Sequence, residues 1–149
     1  MKVRSVVVIA AAAAAIGALA AGPKAAPARP EQSVPLTELK FETPFGPTGP
    51  QFATIWGDRN KTEHGSFLKI AAGSPAQVHT HALDSYGVVI TGNMTHVTEG
   101  RPGKLLGPGG WWFMPANVPH QSICHPGIDC LVFIHNPGPF SYAAVEEKK

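Results

Sequence analysis

The sequence is most restrictive in what it lacks. It has no Gly-x-Ser-x-Gly elbow, so an α/β-hydrolase nucleophile is excluded. Its glycine-rich string Gly107-Pro108-Gly109-Gly110 lacks the Lys-Ser/Thr of a phosphate loop, and no helical pattern follows it. Ten acidic residues in 149 leave no recognisable carboxylate pair of the glycosidase kind. No basic run interleaved with aromatics is present, which argues against nucleic-acid binding. There are only two cysteines and no Cys-x-x-Cys pair, so a thiolate metal site is disfavoured.

The apolar run Val6 to Ala20 follows the basic start Met1-Lys2-Val3-Arg4-Ser5. It is short for a span of about 20 residues and is made mainly of alanine and valine. Ala18-Leu19-Ala20 and Ala26-Pro27-Ala28 both fit a small-x-small cleavage site. Residues 1–28 therefore read as a secretory signal peptide, against a retained anchor, and predict a periplasmic or secreted protein with no stable membrane span after cleavage. Lys2, Arg4 and Lys24 account for three of the twelve basic residues, and 1–28 holds no acid. The apparent basicity thus belongs to the leader, and no nucleic-acid partner is expected. Residues 29–35 extend an Ala/Pro-rich stretch and read as a disordered linker. One domain is expected over 36–142, followed by a polar tail at 143–149.

Within that domain, short apolar or alternating runs are punctuated by Gly and Pro. Strands are predicted over 36–41, 52–56, 66–71, 77–81, 86–91, 93–97, 111–114, 121–124 and 130–135. No later segment carries a helical period. Many short strands separated by turn signals imply an all-β sandwich or barrel. Cys124 and Cys130 flank a turn, His125-Pro126-Gly127-Ile128-Asp129. In an oxidising compartment they can form a disulfide, and two reduced, buried thiols are the alternative.

The chemistry concentrates in His79-Thr80-His81. Residues two apart on a strand share a face, so both imidazoles can aim at one point. His120, in Pro115-Ala116-Asn117-Val118-Pro119-His120, can supply a third ring from another strand. Neutral imidazole suits iron, nickel, copper and zinc. Gln77 shares the facing of His79, as a donor to it or as a polar lining residue. His64 falls in a polar turn and reads as solvated, and His125 reads as exposed. His96 and His135 end apolar strands, where a structural role competes with one at the barrel mouth. Trp111 and Trp112 must point to opposite faces, and Tyr86 reads as packing or pocket.

These residues resemble the cupin family. Gly73, five residues, His79-Thr80-His81 and a downstream Gly92 match its first motif, and Gly109-Gly110, Pro115 and His120 follow the order of its second. The resemblance covers most of 52–135 and implies a single jelly-roll-like cupin β-barrel. It implies a divalent transition metal (Fe, Mn, Zn, Ni or Cu) on His79, His81 and His120. Cupins commonly add a Glu four or five residues after the second histidine, but Ser85 and Tyr86 stand there. The nearest acid is Asp84, expected either as a fourth ligand or as a cap on its own turn. The resemblance further implies a small-molecule ligand or substrate. It also implies homodimers through edge strands, to which 36–41 could be added. Two functions follow. One is a metal-dependent dioxygenase, isomerase or hydrolase acting on a small oxygen-rich molecule. The other is a non-catalytic module that binds or senses a metal or small ligand.

Overall fold

A computed structural model describes residues 30–74, 76–98 and 101–145. The signal peptide expected over 1–28 lies outside the described residues. Among the described residues ten strands form: β1 (Gln51–Gly57), β2 (His64–Ile70), β3 (His79–Thr80), β4 (Ser85–Thr91), β5 (Met94–Thr98), β6 (Leu105–Leu106), β7 (Trp111–Met114), β8 (His120–Cys124), β9 (Cys130–Asn136) and β10 (Ala143–Ala144). One sheet runs β1-β2-β9-β4-β7 and the other β10-β3-β8-β5-β6. Every ladder is antiparallel. The expected all-β jelly roll is the architecture found. No helix among the described residues is long and apolar enough to cross a membrane.

Period-two alternation decides which face is buried. In β4, Ser85, Gly87 and Val89 are buried while Tyr86, Val88 and Ile90 are exposed. In β7, Trp112 and Met114 face inward and Trp111 and Phe113 outward. The two tryptophans therefore separate as the strand geometry requires. Gly87 makes room for one of them: a Cβ there would lie 2.0 Å from the Trp112 ring. Gly92 turns β4 into β5 at φ +79°, a region that costs other residues energy.

The core sits where Val89, Met94, Cys124, Cys130 and Val132 meet, all essentially without exposure. Burying a side chain such as Met94 contributes about 2 kcal/mol. The two cysteines are joined as a disulfide across the β8–β9 turn, with Cα atoms 5.9 Å apart.

The strand expected at 36–41 does not form. Leu36–Glu38 is a turn of 3-10 helix, and only an isolated bridge from Glu42 to Phe52 follows. With no neighbouring ladder, the segment satisfies its backbone locally, Glu38 N–H donating to the Pro35 carbonyl and Leu39 N–H to that of Leu36. It is accordingly not a strand that could add to an edge. At the other end, Ala143–Ala144 lies within the domain, paired with Thr80 and His79 of β3.

Candidate metal centre

Strand register assembles the histidines. His79 of β3 lies directly opposite His120 of β8. His81, two residues beyond His79, shares its face. The three rings sit with centroids 4.4 to 5.1 Å apart. One nitrogen from each falls within 4.8 Å of the others. Asn117, at φ 60°, makes the turn before His120, and its N–H donates to the His81 carbonyl at 2.7 Å. This bond ties the loop of the third histidine to the strand end of the second.

Hydrogen bonds fix how the rings are turned. The His79 Nδ1 lies 2.7 Å from the Gln77 carbonyl, and the His120 Nδ1 2.9 Å from that of Val118. His81 Nδ1 contacts the Ser141 carbonyl. A carbonyl only accepts, so each Nδ1 carries the hydrogen and each Nε2 presents a lone pair. Backbone carbonyls thereby impose the tautomer that metal ligation needs. Electrostatics act in the same sense. Burial lowers the His79 imidazole from 6.5 to about 4, assisted by repulsion from His120 and His81. Burial likewise lowers His81 and His120. Three neutral imidazoles with convergent Nε2 atoms can hold a metal ion.

Asp84 stands outside this group. It is exposed, and its Oδ1 accepts the Ala116 N–H at 2.8 Å, which pins the loop before His120. This contact is not the cap on its own turn that the sequence led one to expect, because the bonded N–H belongs to a loop 32 residues away.

The triad opens into a cavity of about 410 Å³. Phe45, Phe52, Trp112, Phe140 and Tyr142 supply aromatic walls, and among the described residues no Asp, Glu, Lys or Arg lines it. Tyr142 stacks on His79 at 4.5 Å, and Phe140 lies 5.3 Å from His81. Burial raises the Tyr142 phenol. Residues 140–142 are thus part of the site, held there by the β10–β3 pairing. Gln77 lines the cavity and contributes its carbonyl to His79.

The other histidines divide. His64 is fully buried, not solvated: its Nδ1–H donates to the Thr62 carbonyl and its Nε2 accepts from Asn136. His125 is half-buried and its Nε2 meets Thr95 Oγ1 at 2.8 Å. His135 faces away from the cavity, pairing with Glu63 and stacking on Trp56. His96 does reach the cavity. Among the described residues, its Nε2 is the buried side-chain nitrogen left without a hydrogen-bond partner. Such an atom costs about 1–3 kcal/mol. Tyr86 lies on the outer face, half-exposed.

A family of domains of unknown function, DUF4437, matches residues 40–147. The chain belongs to that family. The fold of this DUF4437 domain is that of the cupins. It is similar to the polyketide cyclase RemF from Streptomyces resistomycificus, with a TM-score of 0.65 and 20% identity over 80% of this chain and 88% of that one. It is also similar to KdgF from a Halomonas species, at 0.58 and 17% over 72% and 94%. An RmlC-like cupin from Shewanella frigidimarina aligns at 0.57 and 20% over 72% and 92%. No curated protein matches the DUF4437 chain by sequence.

Proposed function

We propose that this DUF4437 chain is an exported, metal-dependent enzyme of cupin type that acts on a small oxygen-bearing molecule. The observation that carries the reading is the set of three Nε2 lone pairs of His79, His81 and His120, each oriented by a backbone carbonyl. A divalent metal held there would supply Lewis acidity toward a carbonyl or enolate oxygen, or a lowered pKa for bound water. The aromatic walls exclude water and orient a planar or apolar substrate body. The disulfide supports export, because such bonds persist in oxidising compartments. Among the proteins of like fold, the polyketide cyclase shows that this architecture can house an enzyme.

One observation favours a second reading, a non-catalytic binding module: among the described residues no carboxylate or lysine lines the cavity to move a proton. The deciding experiment is elemental analysis of the native protein purified without chelators, followed by turnover screening. About one metal per chain, lost in His79→Ala/His120→Ala, is expected. A folded protein without metal would refute the metal site. Metal without turnover on any carbonyl or enol substrate would favour the binding module.

A further inference from the structure

The sheet β1-β2-β9-β4-β7 has a second face, turned away from the cavity. Strand register shows what it carries. Trp111, Val88, Phe133 and Phe67 form one row, each directly opposite the next. Phe113, Tyr86, His135, Gly65 and Trp56 form the adjoining row, which crosses all five strands. Residues two apart share a face, so the two rows make one surface. Ring centroids lie 6.2 Å apart for Phe67 and Phe133, 4.9 Å for Tyr86 and Phe113, and 5.8 Å for Trp56 and His135. Gly65 leaves the room in which Trp56 lies over the sheet, since a Cβ there would meet the indole ring.

The outward face of an antiparallel sheet is ordinarily polar. This one is aromatic and open. Trp111 is 66% exposed and Tyr86 49%. Together with Trp56, Val88 and Phe113 they leave about 500 Å² uncovered. The partly exposed Phe67, Phe133 and His135 extend the patch beyond the largest one on an ordinary monomer. The total approaches the roughly 800 Å² that each partner buries in a stable complex.

The rim narrows what covers it. Lys69 pairs with Asp129 at 3.7 Å, and His135 pairs with Glu63 at 2.8 Å at the opposite end of β2. Each end thus carries an acid beside a base. A lipid surface is met through an excess of Lys and Arg, and a charged partner through an excess of one sign. An apolar centre with a mixed rim is compatible with a copy of itself. The layout suits a two-fold axis as well. β9 is third of the five strands, and Phe133 stands midway along it. An axis beside Phe133 sets the apolar centre of one copy on that of the other.

We propose that this face is the interface of a homodimer, in which two copies pack outer sheet against outer sheet near Phe133. The contact is face to face and adds no strand at an edge. It is independent of the metal and of what the cavity binds, because the cavity lies on the opposite side of the sheet.

The test is sedimentation equilibrium of the purified protein across micromolar concentrations. A mass twice that of one chain is expected. Trp111→Glu and Val88→Glu should each raise the dissociation constant about thirtyfold. Leu105→Glu should leave it unchanged: Leu105 is 65% exposed, as open as Trp111, but lies on the other sheet. Circular dichroism checks each variant for folding, and Phe113→Glu on the edge strand β7 replaces Val88→Glu if the latter does not fold. A chain that stays monomeric overturns the proposal, and one that then co-sediments with phosphatidylserine vesicles gives the face to a membrane instead. A dimer that survives the substitutions on this face also overturns it, as does one that Leu105→Glu weakens equally.

Discussion

Strand β8 joins two unlike regions of one barrel. At its Cys124 end, Cys130, Met94, Val89 and Val132 close together with essentially no exposure, and a disulfide spans the turn. At its His120 end the inward side chains are imidazoles around an open cavity, one carrying an unpaired nitrogen. The first region gains stability by burying apolar surface. The second holds desolvated polar groups that disfavour folding until something binds them. Separating the two along a single strand lets the protein carry an unsatisfied site without an unstable core.

The comparison can be broken most directly at the histidine end. If the triad binds metal, free metal at about a thousand times its Kd should add about 4 kcal/mol to unfolding stability. His79→Ala/His120→Ala should remove that increment, as read by chemical denaturation with and without metal. At the closed end, Met94→Ala should cost about 3 kcal/mol through the cavity it leaves, with no change in metal stoichiometry. A loss of metal there would show that the two regions are not independent. Cys124→Ser/Cys130→Ser should cost about 2 kcal/mol, since the bond closes a loop of only six residues' separation.

Smallest per step is the effect of pH, which belongs to one end alone. The folded values of His79, about 4, and His96, about 3, lie below the unfolded 6.5. Between those limits the unfolded chain binds more protons than the native one. Stability is therefore full above pH 6.5 and is lost as pH falls toward 4 for His79 and toward 3 for His96. Each histidine should contribute a slope of about 1.4 kcal/mol per pH unit in chelator-treated protein. Urea melts across pH should show the slope shrinking in His96→Phe but unchanged in Met94→Ala.

Much of the fold was legible because alternation is a local signal. Trp111 and Trp112 had to face opposite ways, but the runs Tyr86 through Ile90 and Trp111 through Met114 are wholly apolar and do not say which face is inward, so Tyr86, expected as packing or pocket, lies on the outer face. His79 and His81 are legible because residues two apart on a strand share a face. The residues that escaped depend on partners far along the chain. β6 and β10 are two residues each, too short to show a period, so Phe140 and Tyr142 could not be placed beside His79 and His81. His96 could be assigned to a strand but not to the cavity, because that follows from its register with Ser122. His64 reads as a polar turn residue, and only its pairing with distant Asn136 explains its burial. Asp84 retained two readings, since one side chain can reach a turn or a metal and the sequence carries no distance. The segment 36–41 misled because its apolar content suits a strand, whereas strand formation requires a neighbour.

The bonds from Nδ1 of His79, His81 and His120 all end on main-chain carbonyls. A carbonyl is common to every amino acid, so replacements at Gln77, Val118 and Ser141 leave those acceptors in place as long as the backbone keeps its path. The aim of the three rings is thereby insulated from genetic drift at the positions that hold them, while the surrounding aromatic wall stays free to vary. A lineage built on this barrel can exchange one ligand preference for another through its wall residues and inherit the histidine grip unchanged.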